Sequence, residues 1–132
     1  MLEETLLDYI LTRKRGLAVL IWTTIIFIGS SIPGDEIPGQ MPPDYLMHFA
    51  EYFILGALVS WWSIFDLFPK KPLASILFSS VFASGYGIFD ELHQYFVPGR
   101  TLDPRDWVAD TAGGITGAII VIIILFWAKR LK

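Results

Sequence analysis

The sequence lacks cysteine and is poor in charge. Its 132 residues include no Cys, which excludes disulfides, thiolate metal sites and a cysteine nucleophile. Charged residues make up 17% of the chain, against roughly 25% in soluble domains, and hydrophobic residues make up 54%. The formal net charge of −3 offers no basic surface for nucleic acid. The composition therefore predicts one domain, over residues 1–132, that is neither a soluble globular protein nor a nucleic-acid-binding protein.

Four long stretches of the chain carry few or no charged side chains. A bilayer core about 30 Å thick requires roughly 20 residues of helix, and each stretch reaches that length once its polar first or last turn is included. Stretches this long without alternating polarity are typical of helices and not of barrel strands. The predicted fold is an all-α polytopic membrane protein, a compact bundle of four transmembrane helices at about residues 16–32, 45–67, 73–96 and 104–128.

The basic residues predict the orientation of this bundle. Eight of the ten Lys and Arg residues lie on one side of the predicted spans: Arg13, Lys14, Arg15, Lys70, Lys71, Lys129, Arg130 and Lys132. Only Arg100 and Arg105 lie on the other side, together with most of the acidic residues. The positive-inside rule then places both termini in the cytoplasm and predicts that any chemistry occurs on the extracytoplasmic side.

The segment before the first span, residues 1–15, is open to more than one interpretation. Leu2, Leu6 and Ile10 recur at helical spacing, which predicts a short helix lying at the cytoplasmic interface, with a frayed tail as the alternative. The beginning of the chain also resembles a cleaved signal peptide, because basic residues at 13–15 are followed by an apolar run and by small residues at 29–31. Fifteen residues before the apolar run is long for such a leader, so a retained span is favoured.

Three groups of polar residues lie where the predicted helices enter the hydrocarbon. Ionisable side chains are costly there, and so they indicate a functional site with a partner. The groups are His48, Glu51 and Tyr52 on the second helix, Asp90, Glu91 and Gln94 on the third, and Asp106 and Asp110 on the fourth. The two aspartates share one stripe with Gly113, a position suited to close helix packing, so the stripe is expected to face the bundle interior.

These residue types suggest distinct roles in a shared pocket. Partial desolvation can bring an imidazole or a carboxyl group toward acid–base activity at neutral pH, which makes His48, Glu51 and Glu91 the candidate acid/base residues. The candidate substrate-binding residues are Tyr52, Asp90, Gln94, Arg100, Asp106 and Asp110, with Arg100 as a clamp for phosphate or carboxylate. A divalent cation is an alternative that the sequence leaves open. His48 and Glu51 lie on one helix and supply only two ligands, which is fewer than a metal site needs. The metal and any cofactor remain unassigned.

Several neighbouring polar residues have simpler interpretations. Asp103 precedes Pro104 and is expected to cap the fourth helix. Arg105 and Arg100 can each neutralise a nearby carboxylate instead of binding a ligand. The acidic residues of the loop before the second helix are expected to be solvated: Asp35, Glu36 and Asp44.

Three motifs resemble the VanZ-like family of small bacterial membrane proteins. They are D-x-x-x-H-F-x-x-Y-x-x-L-G at 44–56, D-E-x-x-Q-x-F-x-P-G-R at 90–100 and D-x-x-A-x-x-x-G at 106–113. The resemblance implies a multi-pass protein of the bacterial cytoplasmic membrane and cell envelope. The founding member is associated with resistance to the glycopeptide antibiotic teicoplanin, and the resemblance implies no particular reaction. This chain has Tyr45 where the family commonly has Lys, and Asp110 where it commonly has Asn, so its pocket is more negative than the family pattern.

The sequence therefore leads to one main functional hypothesis and three alternatives. The main hypothesis is a pocket, open to the extracytoplasmic side, that recognises or processes an envelope component such as a lipid-linked phosphate or a peptidoglycan-type glycopeptide. The alternatives are a non-catalytic protein that binds lipid or antibiotic, a small proton-coupled transporter, and a purely structural protein whose polar residues fix helix packing. Membrane lipids are expected partners in every case, and the oligomeric state is left open.

Overall fold

The computed structural model describes residues 2–39 and 41–128, with side chains from residue 14 onward. Within these residues the chain forms four α-helices and one short 3-10 helix, Gly34–Glu36, and it contains no strand. The helices are α1 (Leu2–Ser30), α2 (Asp44–Asp66), α3 (Pro72–Tyr95) and α4 (Pro104–Trp127). The all-α class predicted from the sequence is confirmed. The basic C-terminal residues used to predict the orientation lie outside the described residues.

Helix α1 is longer than the first predicted span. It runs without interruption from Leu2 to Ser30 and thus includes the segment predicted as a separate interfacial helix. The segment contains no proline, and the single glycine at the junction, Gly16, is tolerated inside a helix at a cost of about 1 kcal/mol. Residues 2–15 therefore form the beginning of α1. An amphipathic pattern is predicted for these residues, but the side chains up to position 13 lie outside the described part of the chain.

Prolines and a capping aspartate define where the other helices begin. Pro43 immediately precedes α2, and Pro72 is the first residue of α3. The side chain of Asp103 accepts a hydrogen bond of 2.9 Å from the backbone N–H of Arg105 and caps α4, as the sequence predicts. Between α3 and α4 the chain turns at Gly99, whose φ of 73° is a conformation that glycine adopts without strain.

Helices α2 and α4 pack against each other through glycines. A Cβ added at Gly113 would collide with the Phe49 carbonyl oxygen, and one added at Gly117 would collide with the Phe53 carbonyl oxygen. Gly56 of α2 faces the Gly114 backbone in the same way. Such close approach of two backbones is possible only where the residue at the contact is a glycine and has no side chain. The predicted packing role of Gly113 is confirmed, and the contact fixes how deep the polar residues of α4 lie against α2.

Helix α1 is attached to the bundle by side-chain hydrogen bonds. The indole Nε1 of Trp22 donates to the Glu51 carbonyl oxygen at 2.9 Å, and the Tyr86 hydroxyl donates to the Thr23 carbonyl oxygen at 2.6 Å. Toward the beginning of the helix, Arg15 forms an ion pair of 2.7 Å with Asp66 at the end of α2. These contacts hold α1 against α2 and α3 along its length.

Many large apolar side chains lie on the surface of the bundle, and several charged side chains are buried inside it. Large apolar side chains are exposed along the helices, for example Val81 at 73% and Leu73 at 67%, whereas Asp90 and Asp110 are almost completely buried. Two helices, α3 and α4, are long and apolar enough to cross a membrane, and only about a quarter of the residues in their most apolar windows are buried. An apolar exterior around a polar interior is typical of a protein surrounded by lipid. Four spans and the location of the termini remain predictions.

Candidate functional site

The polar residues predicted for three separate helices meet at one end of the bundle. The structure brings together His48 from α2, Asp90, Glu91 and Gln94 from α3, and Asp106 and Asp110 from α4, and each of these residues is at most 4% exposed. We call these six residues the polar cluster. The helices position them because α2 and α4 touch through their glycines, so that side chains one or two turns from the helix starts face each other.

A short hydrogen bond joins α2 to α4 within the polar cluster. His48 Nδ1 lies 2.8 Å from Asp110 Oδ1, and both side chains are buried. A carboxylate only accepts hydrogen bonds, so Nδ1 carries the proton that it donates to Asp110. This arrangement leaves the second nitrogen, Nε2, facing Gln94, whose Nε2 amide lies 3.5 Å away. Asp110 therefore fixes the orientation of the imidazole ring.

Hydrogen bonds connect α3 to the same cluster. The Gln94 amide donates to Asp90 Oδ2 at 3.2 Å, one turn earlier on α3. Glu91 Oε2 accepts a hydrogen bond of 3.0 Å from the backbone N–H of Asp103, the residue that caps α4. The end of α3 is thereby fixed to the beginning of α4.

Several buried polar atoms of the site have no hydrogen-bond partner among the described residues. They are the Tyr52 hydroxyl oxygen, Asp90 Oδ1, Glu91 Oε1 and Asp110 Oδ2. A buried polar atom without a partner costs about 1–3 kcal/mol, and more when the group is charged. An arrangement with three such carboxylate oxygens in one cluster is suited to holding something that supplies positive charge or protons.

The charge of the polar cluster is unbalanced. It contains four carboxyl groups and one imidazole, and among the described residues no Lys or Arg nitrogen lies within 4.0 Å of those carboxyl groups. The nearby arginines are engaged elsewhere, because Arg100 pairs with Asp44 at 3.4 Å and Arg105 pairs with Asp103 at 2.7 Å. Two ionised carboxylates about 5 Å apart repel by roughly 3 kcal/mol at an effective dielectric constant of about 20. The cluster thus favours a cation or protons.

Gly87 makes room for Asp110 between α3 and α4. A Cβ at position 87 would lie 2.8 Å from Asp110 Oδ2 and 3.0 Å from the Asp110 Cβ. Those distances are shorter than real Cβ contacts, so any side chain at 87 would displace the carboxylate. Gly87 is therefore part of the site, because it allows the Asp110 side chain to lie against α3.

A cavity of about 190 Å³ opens beside the polar cluster. It is lined by His48, Glu51, Gln94 and Arg100. Ile37, Pro38 and Met41, from the segment between α1 and α2, also line it. The cavity therefore joins the candidate acid/base residue His48 to the predicted clamp, Arg100, in one space.

Arg100 connects the loops that surround the cavity. Its guanidinium donates to the Ile32 carbonyl oxygen at 3.2 Å, to Asp44 Oδ2 at 3.4 Å and to the Gly29 carbonyl oxygen at 3.5 Å. The Asp44 side chain is half exposed, as expected for a solvated acid, yet it lines the cavity together with Glu36. The sequence did not predict that these two acids belong to the site, because their role depends on how the loop folds over α2.

The remaining predicted residues surround this centre. Tyr52 is fully buried one turn below His48, and the two rings are stacked with centroids 6.4 Å apart. Glu51 is half-buried and faces the cavity. Asp103 serves as the cap of α4, and its hydrogen bonds with Arg105 hold the pKa of its carboxyl group below the ordinary value. His93 lies outside the cluster, where it contacts Ser31 Oγ at 2.9 Å.

A second set of buried polar residues was not predicted from the sequence. Four serines meet between α2 and α3 in the other half of the bundle: Ser60, Ser63, Ser75 and Ser79. Ser63 Oγ and Ser75 Oγ are 2.7 Å apart, and Ser79 donates to the Ser75 carbonyl oxygen at 2.8 Å. Their spacing of three and four residues on each helix was a signal that could have revealed them. The hydroxyls of Ser60, Ser63 and Ser75 form hydrogen bonds between α2 and α3 and so join these helices, whereas the Ser79 hydroxyl bonds within α3.

Comparisons with known proteins agree with the motifs found in the sequence. A family model described as VanZ/LLP1 matches residues 16–126, which cover most of the chain. No curated protein and no solved structure matches the chain significantly. The matched range includes every residue of the polar cluster and Arg100.

Proposed function

Because the chain belongs to the VanZ/LLP1 family, we propose that it is a multi-pass protein of the bacterial cytoplasmic membrane that recognises an envelope component. The cavity beside the polar cluster is the binding site, and it faces the extracytoplasmic side. The observation that carries this proposal is the convergence of His48, Gln94 and Arg100 on a single cavity at one end of an apolar bundle.

The orientation of the bundle follows from the distribution of charge. Lys70 and Lys71 lie between α2 and α3, and Arg15 lies near Asp66 at the same end. The cavity and the polar cluster lie at the opposite end. The positive-inside rule then places the lysines in the cytoplasm and the cavity outside, with all four helices spanning the membrane and both termini cytoplasmic.

The ligand that suits this cavity has a small polar head group and an apolar remainder. A volume of 190 Å³ is below the usual size of drug-binding pockets, so the cavity can receive a head group but not a whole lipid or glycopeptide. Arg100 offers a guanidinium at its edge for a phosphate or carboxylate. A lipid-linked phosphate or the carboxylate of a peptidoglycan-type glycopeptide precursor fits this description, since its remaining part can lie in the membrane or outside the cavity.

Recognition of such a precursor would connect the protein to glycopeptide antibiotics. A protein that holds an envelope precursor can change the accessibility of that precursor to an antibiotic. A role in low-level resistance, as implied for the family by the teicoplanin-associated member, is therefore part of this proposal.

A second candidate function, chemical processing of the ligand, is favoured by the His48–Asp110 pair. The 2.8 Å hydrogen bond fixes the imidazole so that Nε2, which faces the Gln94 amide at 3.5 Å, can accept a proton in the cavity. Glu51 and Glu91 are the carboxyl groups that could return the proton. In this version the protein would catalyse hydrolysis or transfer at the head group, with His48 as general base.

Transport and a purely structural role receive less support. On α2 the fully buried Leu55 and Val59 come between His48 and the pair Ser60 and Ser63, so apolar side chains interrupt the polar ones along this helix. A structural network would be expected to satisfy its own hydrogen bonds, whereas three carboxylate oxygens of the polar cluster have no partner in the part of the chain that the structure describes. Both observations favour a ligand-binding site.

Native mass spectrometry of the full chain, purified gently in detergent, tests the proposal. We expect a co-purified envelope lipid or precursor at one copy per chain. Arg100→Gln and His48→Ala should each reduce its occupancy at least tenfold, while Arg105→Gln, which alters an exposed arginine paired only with Asp103, should keep it. A wild-type protein without adduct, or equal occupancy in all variants, would overturn the proposal. Turnover of the bound precursor that is lost only in His48→Ala would favour the second candidate.

A further inference from the structure

We propose that His48, Glu91 and Asp110 form a binding site for one divalent transition-metal cation, which bridges the protein to the anionic head group of its ligand. Cation binding stands on the geometry of the polar cluster alone. Its bridging role rests on the function proposed above.

The three side chains come from three helices and converge on one point. One nitrogen of His48 and one carboxylate oxygen each of Glu91 and Asp110 lie within 4.8 Å of one another. All three residues are buried, with exposures of 3%, 4% and 0%. A tetrahedral site with metal–ligand bonds of 2.0–2.2 Å needs ligand atoms roughly 3.5 Å apart, a contraction that small side-chain rotations can supply.

Unpartnered atoms provide independent evidence for a ligand at this point. Glu91 Oε2 and Asp110 Oδ1 accept hydrogen bonds, but the second oxygen of each carboxylate, Glu91 Oε1 and Asp110 Oδ2, has no partner among the described residues. Asp90 Oδ1 adds a third unpartnered oxygen in the same cluster. Buried carboxylate oxygens are usually paired with a donor or a metal ion. A cation would satisfy these oxygens at once.

The charge of the site explains why a cation is needed to hold an anion. Arg100 is already paired with Asp44, and the cavity wall also contains Glu36 and Glu51. An anionic head group entering this space would meet a surplus of negative charge. A divalent cation between the carboxylates and the head group reverses the sign of the field at the point where the head group must bind.

The donor set selects the kind of cation. One imidazole nitrogen with two carboxylate oxygens suits Zn²⁺ or Mn²⁺, whereas Mg²⁺ prefers oxygen ligands and retains much of its water. Three protein ligands leave a coordination position open for a phosphate or carboxylate oxygen. In this arrangement His48 is a ligand and not a general base, so the presence of the cation would also argue against the second candidate function.

A neighbouring group that shares His48 is less suitable. Asp44 and Asp106 also place a carboxylate oxygen within 4.8 Å of a His48 nitrogen. Asp44 is exposed and already pairs with Arg100. The two groups make different predictions, because Asp44→Asn should weaken the cation site strongly only if this second group holds the metal.

The test uses the full chain in detergent, stripped with a chelator and then titrated with Zn²⁺, Mn²⁺ and Mg²⁺ by calorimetry. We expect one equivalent of Zn²⁺ or Mn²⁺ per chain, and at least a tenfold loss of affinity in Asp110→Asn and in Glu91→Gln. Asp35→Asn, in the exposed loop, should bind as the wild type does, and Asp44→Asn should lower the affinity far less than Asp110→Asn does. Co²⁺ gives a second readout, because a visible absorption band from coordinated Co²⁺ should appear in the wild type and vanish in Asp110→Asn.

The outcomes separate this proposal from the function on which its bridging role rests. Circular dichroism and a thermal unfolding curve establish that each variant is folded before its affinity is interpreted. No stoichiometric binding by wild type, or equal binding by all variants, would overturn the cation site, and ligand occupancy that persists in chelator would then leave the proposed function standing. Cation binding without any co-purified ligand would support the site and count against the proposed function.

Discussion

His48 and Asp110 are 62 positions apart in the chain, yet His48 Nδ1 and Asp110 Oδ1 lie 2.8 Å apart in a completely buried contact. The pair joins the first turns of α2 to those of α4, next to the glycines through which these helices touch. Its hydrogen bond fixes the ring of the one histidine in the polar cluster. The processing function proposed above depends on this hydrogen bond, and the proposed cation site uses the same two side chains.

Gly87→Ala should damage the site without damaging the helix that carries it. An added Cβ would lie 2.8 Å from Asp110 Oδ2, so the carboxylate must shift from the position in which it contacts His48. We expect at least a tenfold loss of ligand occupancy or Zn²⁺ affinity, measured by native mass spectrometry and calorimetry.

Gly85→Ala is the matched control for this prediction. It lies on the same helix and gains the same helix propensity, about 1 kcal/mol, but no atom lies within 4 Å of its added Cβ. Gly85→Ala should bind as the wild type does. Equal binding by both variants would show that the position of Asp110 against Gly87 is unimportant.

Gly117→Ala should destabilise the packing of α2 against α4. The added Cβ collides with the Phe53 carbonyl oxygen, and backbone cannot move aside as a flexible side chain can. Overpacking costs about 1–3 kcal/mol. Replacing glycine by alanine gains about 1 kcal/mol in helix propensity, so the cost is larger than the gain over most of that range. A fall in the midpoint of unfolding, followed by circular dichroism in detergent, is the expected result. Gly85→Ala again serves as the control. A midpoint of unfolding for Gly117→Ala above that of Gly85→Ala would contradict the prediction.

When the pH is lowered, Asp103→Asn should lose less stability than the wild type does. Hydrogen bonds from Arg105 lower the pKa of Asp103 in the folded protein, so its contribution is present above the ordinary carboxyl pKa, near 4. That contribution disappears as the pH falls through the lower, folded value. Asparagine can still cap α4 but does not titrate.

Unfolding midpoints measured from pH 6 to pH 3 check the Asp103 prediction. The variant should start slightly below the wild type, because it lacks the ion pair with Arg105, and should decline less steeply. Asp35→Asn, which removes one carboxylate from the exposed loop, should decline in parallel with the wild type. A parallel decline for Asp103→Asn as well would mean that the cap contributes nothing to acid stability.

The sequence was sufficient for features that depend on local pattern. The prolines at 43, 72 and 104 and the capping Asp103 define helix starts because their effects act over a few residues. The spacing of Asp106, Asp110 and Gly113 placed both aspartates on the packing face of α4, and both are buried. The three motifs that resemble the VanZ-like family agree with the family match.

Other features could not be read from the chain. Glu36, between α1 and α2, and Asp44, the first residue of α2, line the cavity only because the tertiary fold brings both next to His48 and Arg100. Gly87 matters only because α4 brings Asp110 against it, and Arg100 pairs with Asp44 across 56 positions of sequence. The continuity of α1 through residue 16 also went unpredicted, since charge at 13–15 marks a membrane boundary without ending a helix.

By itself the sequence determined the helical class, the family and the identity of the polar residues, because hydrophobic runs, caps and motifs are encoded over short distances. Only the tertiary structure decided which oxygen and nitrogen atoms meet, which of them lack a partner and which arginines are already paired. Those facts arise from the close approach of α2, α3 and α4, and helix approach depends on side-chain volume at contacts between residues far apart in the chain.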